Sequence, residues 1–194
     1  PAPGGGSAAA FSGAMAASLV AMVGLVTIGK KKYADVEAEM QQMVEEAMQL
    51  QAEMRAAVKK DAESFELYLK ALRLPKGTEH EKAERDRAIN AASIYAATVP
   101  LHVGRKALEI LKLACKAAEL GNLNAISDAA SAAAQAQAAL EAAGLNVRIN
   151  LLGIEKQAEP ARMLEEIVSL EEQAAELKAA LKVVLNLRGG LNLQ

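Results

Sequence analysis

Residues 36–72 read VEAEMQQMVEEAMQLQAEMRAAVKKDAESFELYLKAL, and the spacing of their apolar side chains decides the fold. Alternating steps of four and three from Val36 land on Met40, Met43, Ala47, Leu50, Met54 and Ala57. That is the period of one helix face, and no proline or glycine interrupts it before Pro75 and Gly77. The spacing predicts a helix over 33–72. A helix this long holds its shape in water by laying its stripe against other helices.

The composition extends this reading to the whole chain. Alanine, leucine, glutamate, lysine, glutamine and methionine dominate, aromatics are 3%, and five prolines leave long uninterrupted windows. The fold class is all-α. At 194 residues the chain is long enough for one domain, here 1–194, with a substantial core. Twenty-two basic against 24 acidic residues leave a net charge of -2, which gives no global pull toward nucleic acid or an anionic membrane. The single cysteine, Cys115, precludes an internal disulfide and lies in an apolar helical run, as an inert thiol in the cytoplasm would.

Residues 8–28 carry no charge and are long enough to span a bilayer. About half of them are Ala, Gly or Ser, no basic flank precedes them, and no second such segment follows, so burial within a helical core is expected instead of membrane insertion. Ser7, behind Gly4, Gly5 and Gly6, is the expected N-cap of a helix over 7–28, with Gly29 as its stop. Small residues recur every four positions at Ala9, Gly13, Ala17 and Ala21, which allows close backbone approach and suits a central helix.

Further along, Thr78 with Glu81 reads as a capping box opening a helix that Pro100 is expected to kink or divide and Gly121 to stop. Another helix is expected from about Asn124, passing Gly144 and ending near 153–157, and a last one over 160–187. Long helices joined by short turns imply an antiparallel bundle of about five helices.

Candidate chemistry begins where the seam of 36–72 turns polar, at Asp61, Ser64 and Tyr68. A carboxylate in line with core positions is either at the solvent end of the stripe or in a polar pocket where it can carry a proton. Arg148 is the only charge between Ala142 and Ile154; it needs a carboxylate such as Asp128 or Asp61, or serves a ligand, and Asn146 and Asn150 lie close to it in the chain. Asp128 sits in the first turns of its helix, behind the capping candidates Asn122 and Asn124, where the helix dipole favours a carboxylate. Lys30, Lys31 and Lys32 complement the end of the first helix, and Arg73 and Lys76 flank Pro75 in a turn. His80 and His102 lack paired ligands, so no metal site is expected; the glycine run lacks the lysine of a phosphate loop, and no dinucleotide fingerprint or nucleophile elbow occurs.

Taken in order, PGGGSAAAFSGAMAASLVAMV, GKKKY, RLPK, GNLNAISDAA and LNVRINL resemble the cyclodeaminase/cyclohydrolase family of folate one-carbon enzymes, colinearly from Pro3 to about Leu187. The family includes the cyclodeaminase half of formiminotransferase-cyclodeaminase and stand-alone methenyltetrahydrofolate cyclohydrolases. The resemblance implies an all-helical homodimer acting on the one-carbon bridge of tetrahydrofolate without a metal or nucleotide cofactor. Under it, Gly4, Gly5, Gly6 and Ser7 would present N–H groups to the ligand. Lys30, Lys31, Arg73, Lys76 and Arg148 become candidates for folate carboxylates or the pterin carbonyl, with Ser64, Asn124 and Asn150 as further contacts. Asp61 is expected to carry the proton, with Asp128 next and Arg148 as electrostatic partner, roles that come from the seam and not from the resemblance.

Formiminotetrahydrofolate cyclodeaminase is the first expectation and methenyltetrahydrofolate cyclohydrolase the alternative, the latter favoured by the lack of a formiminotransferase domain in this sequence. A rival from another class is a non-catalytic dimerisation scaffold. It predicts that Asp61, Asp128 and Arg148 are scattered or exposed; the enzyme predicts that they converge with the Gly4–Ser7 turn.

Overall fold

A computed structural model describes residues 4–193. Five long helices account for most of them: α1 (Gly5–Leu25), α2 (Glu37–Leu72), α3 (Glu79–Leu120), α4 (Ile126–Asn150) and α5 (Ala158–Gly189). Short 3₁₀ turns at Lys31–Val36 and Leu123–Ala125 lead into α2 and α4. The all-α expectation holds, and no strand occurs among the described residues.

Side-chain contacts give the helix directions. Ser7 meets Asp61 and Ser18 meets Gln51, so α1 and α2 are antiparallel. Glu53 meets Lys106 while Glu39 meets Lys116, reversing α3 against α2. Asn150 reaches Ala96, Arg148 reaches Glu171, and the alternation continues through α4 and α5. α1 packs against α2, α3 and α4, while α5 packs against α3 and α4.

The small-residue spacing of α1 explains its close fit. Ala9, Ala17 and Ala21 are buried, and a Cβ on Gly13 would overlap the Cε methyl of Met54 on α2. The helix is less central than the sequence suggested, because Phe11 and Met15 are 59% and 40% exposed on one open stripe. Its N-cap is Gly4, and Ser7 instead lies in the first turn with its side chain committed to α2. The helix proper ends at Leu25, and the chain turns at Gly29 with φ +73°, a conformation that glycine adopts without strain.

Pro100 neither divides nor ends α3, which is continuous from Glu79 to Leu120. A proline has no N–H to offer the carbonyl four residues back, here that of Ala96. Asn150 on α4 donates its Nδ2 to that carbonyl at 2.9 Å, replacing the missing bond from outside the helix. Thr78 and Glu81 form the expected capping box. The helix after Gly121 opens at Ile126, two residues later than expected, because Asn122 first caps a 3₁₀ turn through the Asn124 N–H.

Candidate active site

The change of character along the α2 seam coincides with the start of α1. Met54 and Ala57 are buried, and one turn further on Asp61 is half-buried against the first turn of α1. Ser7 Oγ, itself buried, lies 2.7 Å from Asp61 Oδ2 and donates to it. Gly6 is required there: a Cβ at that position would overlap Asp61 Oδ1. The first turn of a helix has N–H groups without intrahelical acceptors and carries the positive end of the helix dipole, which attracts a carboxylate. Ser64, the next polar member of the seam, is buried and donates its hydroxyl to the Asp61 carbonyl at 2.8 Å, fixing the local turn of α2.

The C-terminal end of α4 closes another side. Asn146 donates Nδ2 to the Ala142 carbonyl at 2.8 Å, and its carboxamide lies against Gly5, where an added Cβ would come within 2.9 Å of Nδ2. Leu145, Asn146, Arg148, Ile149 and Leu152 line an open, largely apolar hollow beside this turn. Arg148 is paired with neither Asp61 nor Asp128. It makes a two-pronged ion pair with Glu171 of α5, with Nη1–Oε1 and Nη2–Oε2 both at 2.7 Å, and the Glu171 carboxylate raises the guanidinium pKa above its ordinary value. Gly144 makes room for that pair, since a Cβ there would overlap Glu171 Oε1.

Thus Gly4, Gly5, Gly6, Ser7, Asp61 and Ser64 share one end of the bundle with Arg148 and Asn150, although Asn150 is engaged with Ala96. Asp128, Asn124, Lys30 and Lys31 lie at the other end. The 21 residues of α1 put about 30 Å between its two ends at 1.5 Å per residue, and Asp128 is separated from Arg148 by a similar length of α4. The motifs at that far end tie α1 to the α3–α4 connection. Thr27 accepts from the Asn122 N–H at 2.8 Å, Asn122 Nδ2 donates to the Val26 carbonyl at 3.0 Å, and the Tyr33 hydroxyl accepts from the Leu123 N–H at 2.9 Å. Arg73 and Lys76 are exposed in the α2–α3 turn, three turns of α2 and more beyond Asp61.

Two contributors were not singled out from the sequence. Asn146 was visible only as added hydrogen-bonding capacity near Arg148, and its contact with Gly5 depends on the α1–α4 packing. Glu171 is one of two adjacent glutamates; its place beside buried Leu170 and one turn before Ala174 was the available signal. Cys115 fits the inert reading: burial, with a smaller contribution from Glu119, pushes its thiol up to about 11.

The chain is similar along most of its length to known proteins. A methenyltetrahydrofolate cyclohydrolase from Methylorubrum extorquens is 44% identical over 177 residues, covering 91% of this chain and 85% of that one. The formimidoyltransferase-cyclodeaminase of Sus scrofa is 35% identical over 89% of this chain, which spans only 32% of that longer protein. Among solved structures, the formiminotetrahydrofolate cyclodeaminase of Thermotoga maritima superimposes with a TM-score of 0.85 at 35% identity, covering 96% of this chain and 89% of that one. The model of the Formiminotransferase-cyclodeaminase family matches residues 1–169. With that match over most of its length, and relatives of this identity along it, the chain belongs to the formiminotransferase-cyclodeaminase family.

Proposed function

We propose that the protein is a folate enzyme that opens the one-carbon bridge of methenyltetrahydrofolate with water, giving formyltetrahydrofolate. The observation that carries the catalytic reading is Asp61, half-buried against the first turn of α1, where Ser7 donates to its carboxylate and Gly6 leaves room for it. The methenyl bridge is a cationic amidinium, so a carboxylate both attracts it and accepts a proton from the water that attacks it. The C–O bond forms as the water gives one proton to Asp61, leaving a tetrahedral carbinolamine. Asp61 returns that proton to the departing ring nitrogen as the C–N bond breaks, and the hydroxyl proton leaves to solvent as the formyl carbonyl forms. N–H groups at the start of α1 offer donors to the developing oxygen. Neither a metal nor a nucleotide cofactor takes part in these steps.

The hydrolytic direction is supported by the 44% identity to the Methylorubrum cyclohydrolase. The likeness to the Thermotoga cyclodeaminase favours a second reading with the same carboxylate. In it, the anilinic nitrogen of protonated formiminotetrahydrofolate attacks the amidine carbon and loses a proton to Asp61, which passes it to the amino group so that ammonia departs as its C–N bond breaks and the methenyl amidinium forms. We further propose a cytoplasmic homodimer joined through the open stripe of α1, where Phe11 and Met15 are exposed.

A paired turnover assay tests it. Methenyl absorbance is followed as it falls with methenyltetrahydrofolate and as it rises with formiminotetrahydrofolate. The wild type is expected to accelerate the fall above the uncatalysed rate, and Asp61→Asn to lose about 100-fold or more, the scale of a positioned general base. A rise with ammonia release and little hydrolysis moves the assignment to cyclodeaminase. No turnover of either compound removes the catalytic reading.

A further inference from the structure

Phe65 lies four residues beyond Asp61, one turn along α2 on the same face. Toward the start of α2 this face is covered by α1, with Met54 against Gly13. At Asp61 it meets the first turn of α1, so the α1 helix does not extend over Phe65. Phe65 is 53% exposed, in a chain with only two phenylalanines. It is also held in place: the Tyr68 ring stacks on it with centroids 6.5 Å apart and planes inclined at 26°. An exposed phenyl ring, backed by the half-buried Tyr68 and one turn from the carboxylate proposed to carry the proton, offers a flat apolar surface to a planar ring.

We propose that Phe65, braced by Tyr68, is the platform on which a planar ring of the ligand stacks, setting its one-carbon bridge over Asp61. The ligand class is a conjugated pterin or an aminobenzoyl ring, which share the flat π face that Phe65 reads. The identity of the ring rests on the folate reading above; the stacking surface does not. Phe65 touches substrate in this account but exchanges no proton with it, so its loss weakens binding more than turnover.

Two measurements test the platform. In the methenyl assay, Phe65→Ala is expected to raise KM about tenfold or more, the scale of one lost aromatic stack, and to change kcat much less. Phe65→Tyr should restore KM to near the wild-type value. The chain contains no tryptophan, so Phe65→Trp places one emitter at the platform. Its fluorescence is titrated with 5-formyltetrahydrofolate, pterin-6-carboxylate and p-aminobenzoylglutamate, and the fragment that quenches it identifies the stacked ring.

A wild-type KM in Phe65→Ala, or emission unmoved by all three probes while the wild type turns over, overturns the proposal. So does a fall in the mass of Phe65→Ala with activity recovering at higher protein concentration, which would assign the ring to a subunit contact. If the wild type turns over neither folate, the reaction assignment fails separately and the titration decides the platform alone. Quenching by either fragment then sustains it, and silence overturns it.

Discussion

Gly6, Ser7 and Asp61 form a unit in which each residue type has a distinct reason. The carboxylate needs a donor that fixes its orientation, which Ser7 supplies at 2.7 Å, and a backbone neighbour without a Cβ, which Gly6 supplies. Ser7→Ala removes the donor without adding bulk, so kcat is expected to fall about tenfold, on the scale of one hydrogen bond to a charged group, with the helical melt little changed. Gly6→Ala pushes the carboxylate off its position, and we expect a larger loss of kcat than for Ser7→Ala. Steady-state kinetics of the two variants alongside thermal melts check this; equal wild-type kcat values in both would sever Asp61 from the chemistry. Asp61 was legible in the sequence because it continues an apolar seam. The cradle around it was not, because Ser7 read naturally as an N-cap and its bond to a side chain 54 residues away is a property of α1 packing on α2.

At the scale of elements, the five helices were legible from periodicity and stop signals, and the least legible feature was the course of α3 through Pro100. Proline predicts a break when only the local chain is considered, and the residue that answers it is on another helix. Asn150, read as a possible ligand contact, donates to the Ala96 carbonyl that Pro100 leaves without its helical donor. This makes a coupling prediction. Asn150→Ala in the native background leaves a carbonyl short of a partner and is expected to destabilise by about 1 to 3 kcal/mol. In a Pro100→Ala background the restored N–H can bond Ala96, so the same substitution should cost markedly less. Urea melts of the four proteins measure the cycle, and strictly additive effects would show that Asn150 does not stand in for the missing N–H.

At the scale of the whole molecule, the open stripe of α1 is the feature that one chain leaves unexplained. Two side-chain contacts mark its edges: Ser12 bonds Gln135 of α4, and Ser18 accepts from Gln51 of α2. Between those seams Phe11 and Met15 face outward, on a helix with no charged residue. Beyond them, Leu145 and Ile149 on α4 are 68% and 62% exposed, and Met48 on α2 is 58% exposed. Isolated exposed apolar side chains are ordinary, but an apolar stripe edged by more of the same is the signature of an association surface. α1 passes by length and hydropathy as a membrane span, yet 56% of its most apolar window is buried against its neighbours, which leaves one face and not a full circumference to cover. In the homodimer proposed above, a second copy would cover this face with the same chemistry on both sides, as an isologous interface requires. The wild type is therefore expected to show twice the mass of one chain in light scattering at micromolar concentration. Met15→Glu, placing a charge in the middle of the stripe, should halve that mass while leaving the helical circular dichroism intact, because the side chain projects away from the core. The hollow lined by Leu145, Asn146 and Arg148 borders the same face, so turnover per chain is expected to fall along with the mass. A wild type that is monomeric and fully active on dilution would show that the stripe is not a subunit contact and that one chain suffices for the site.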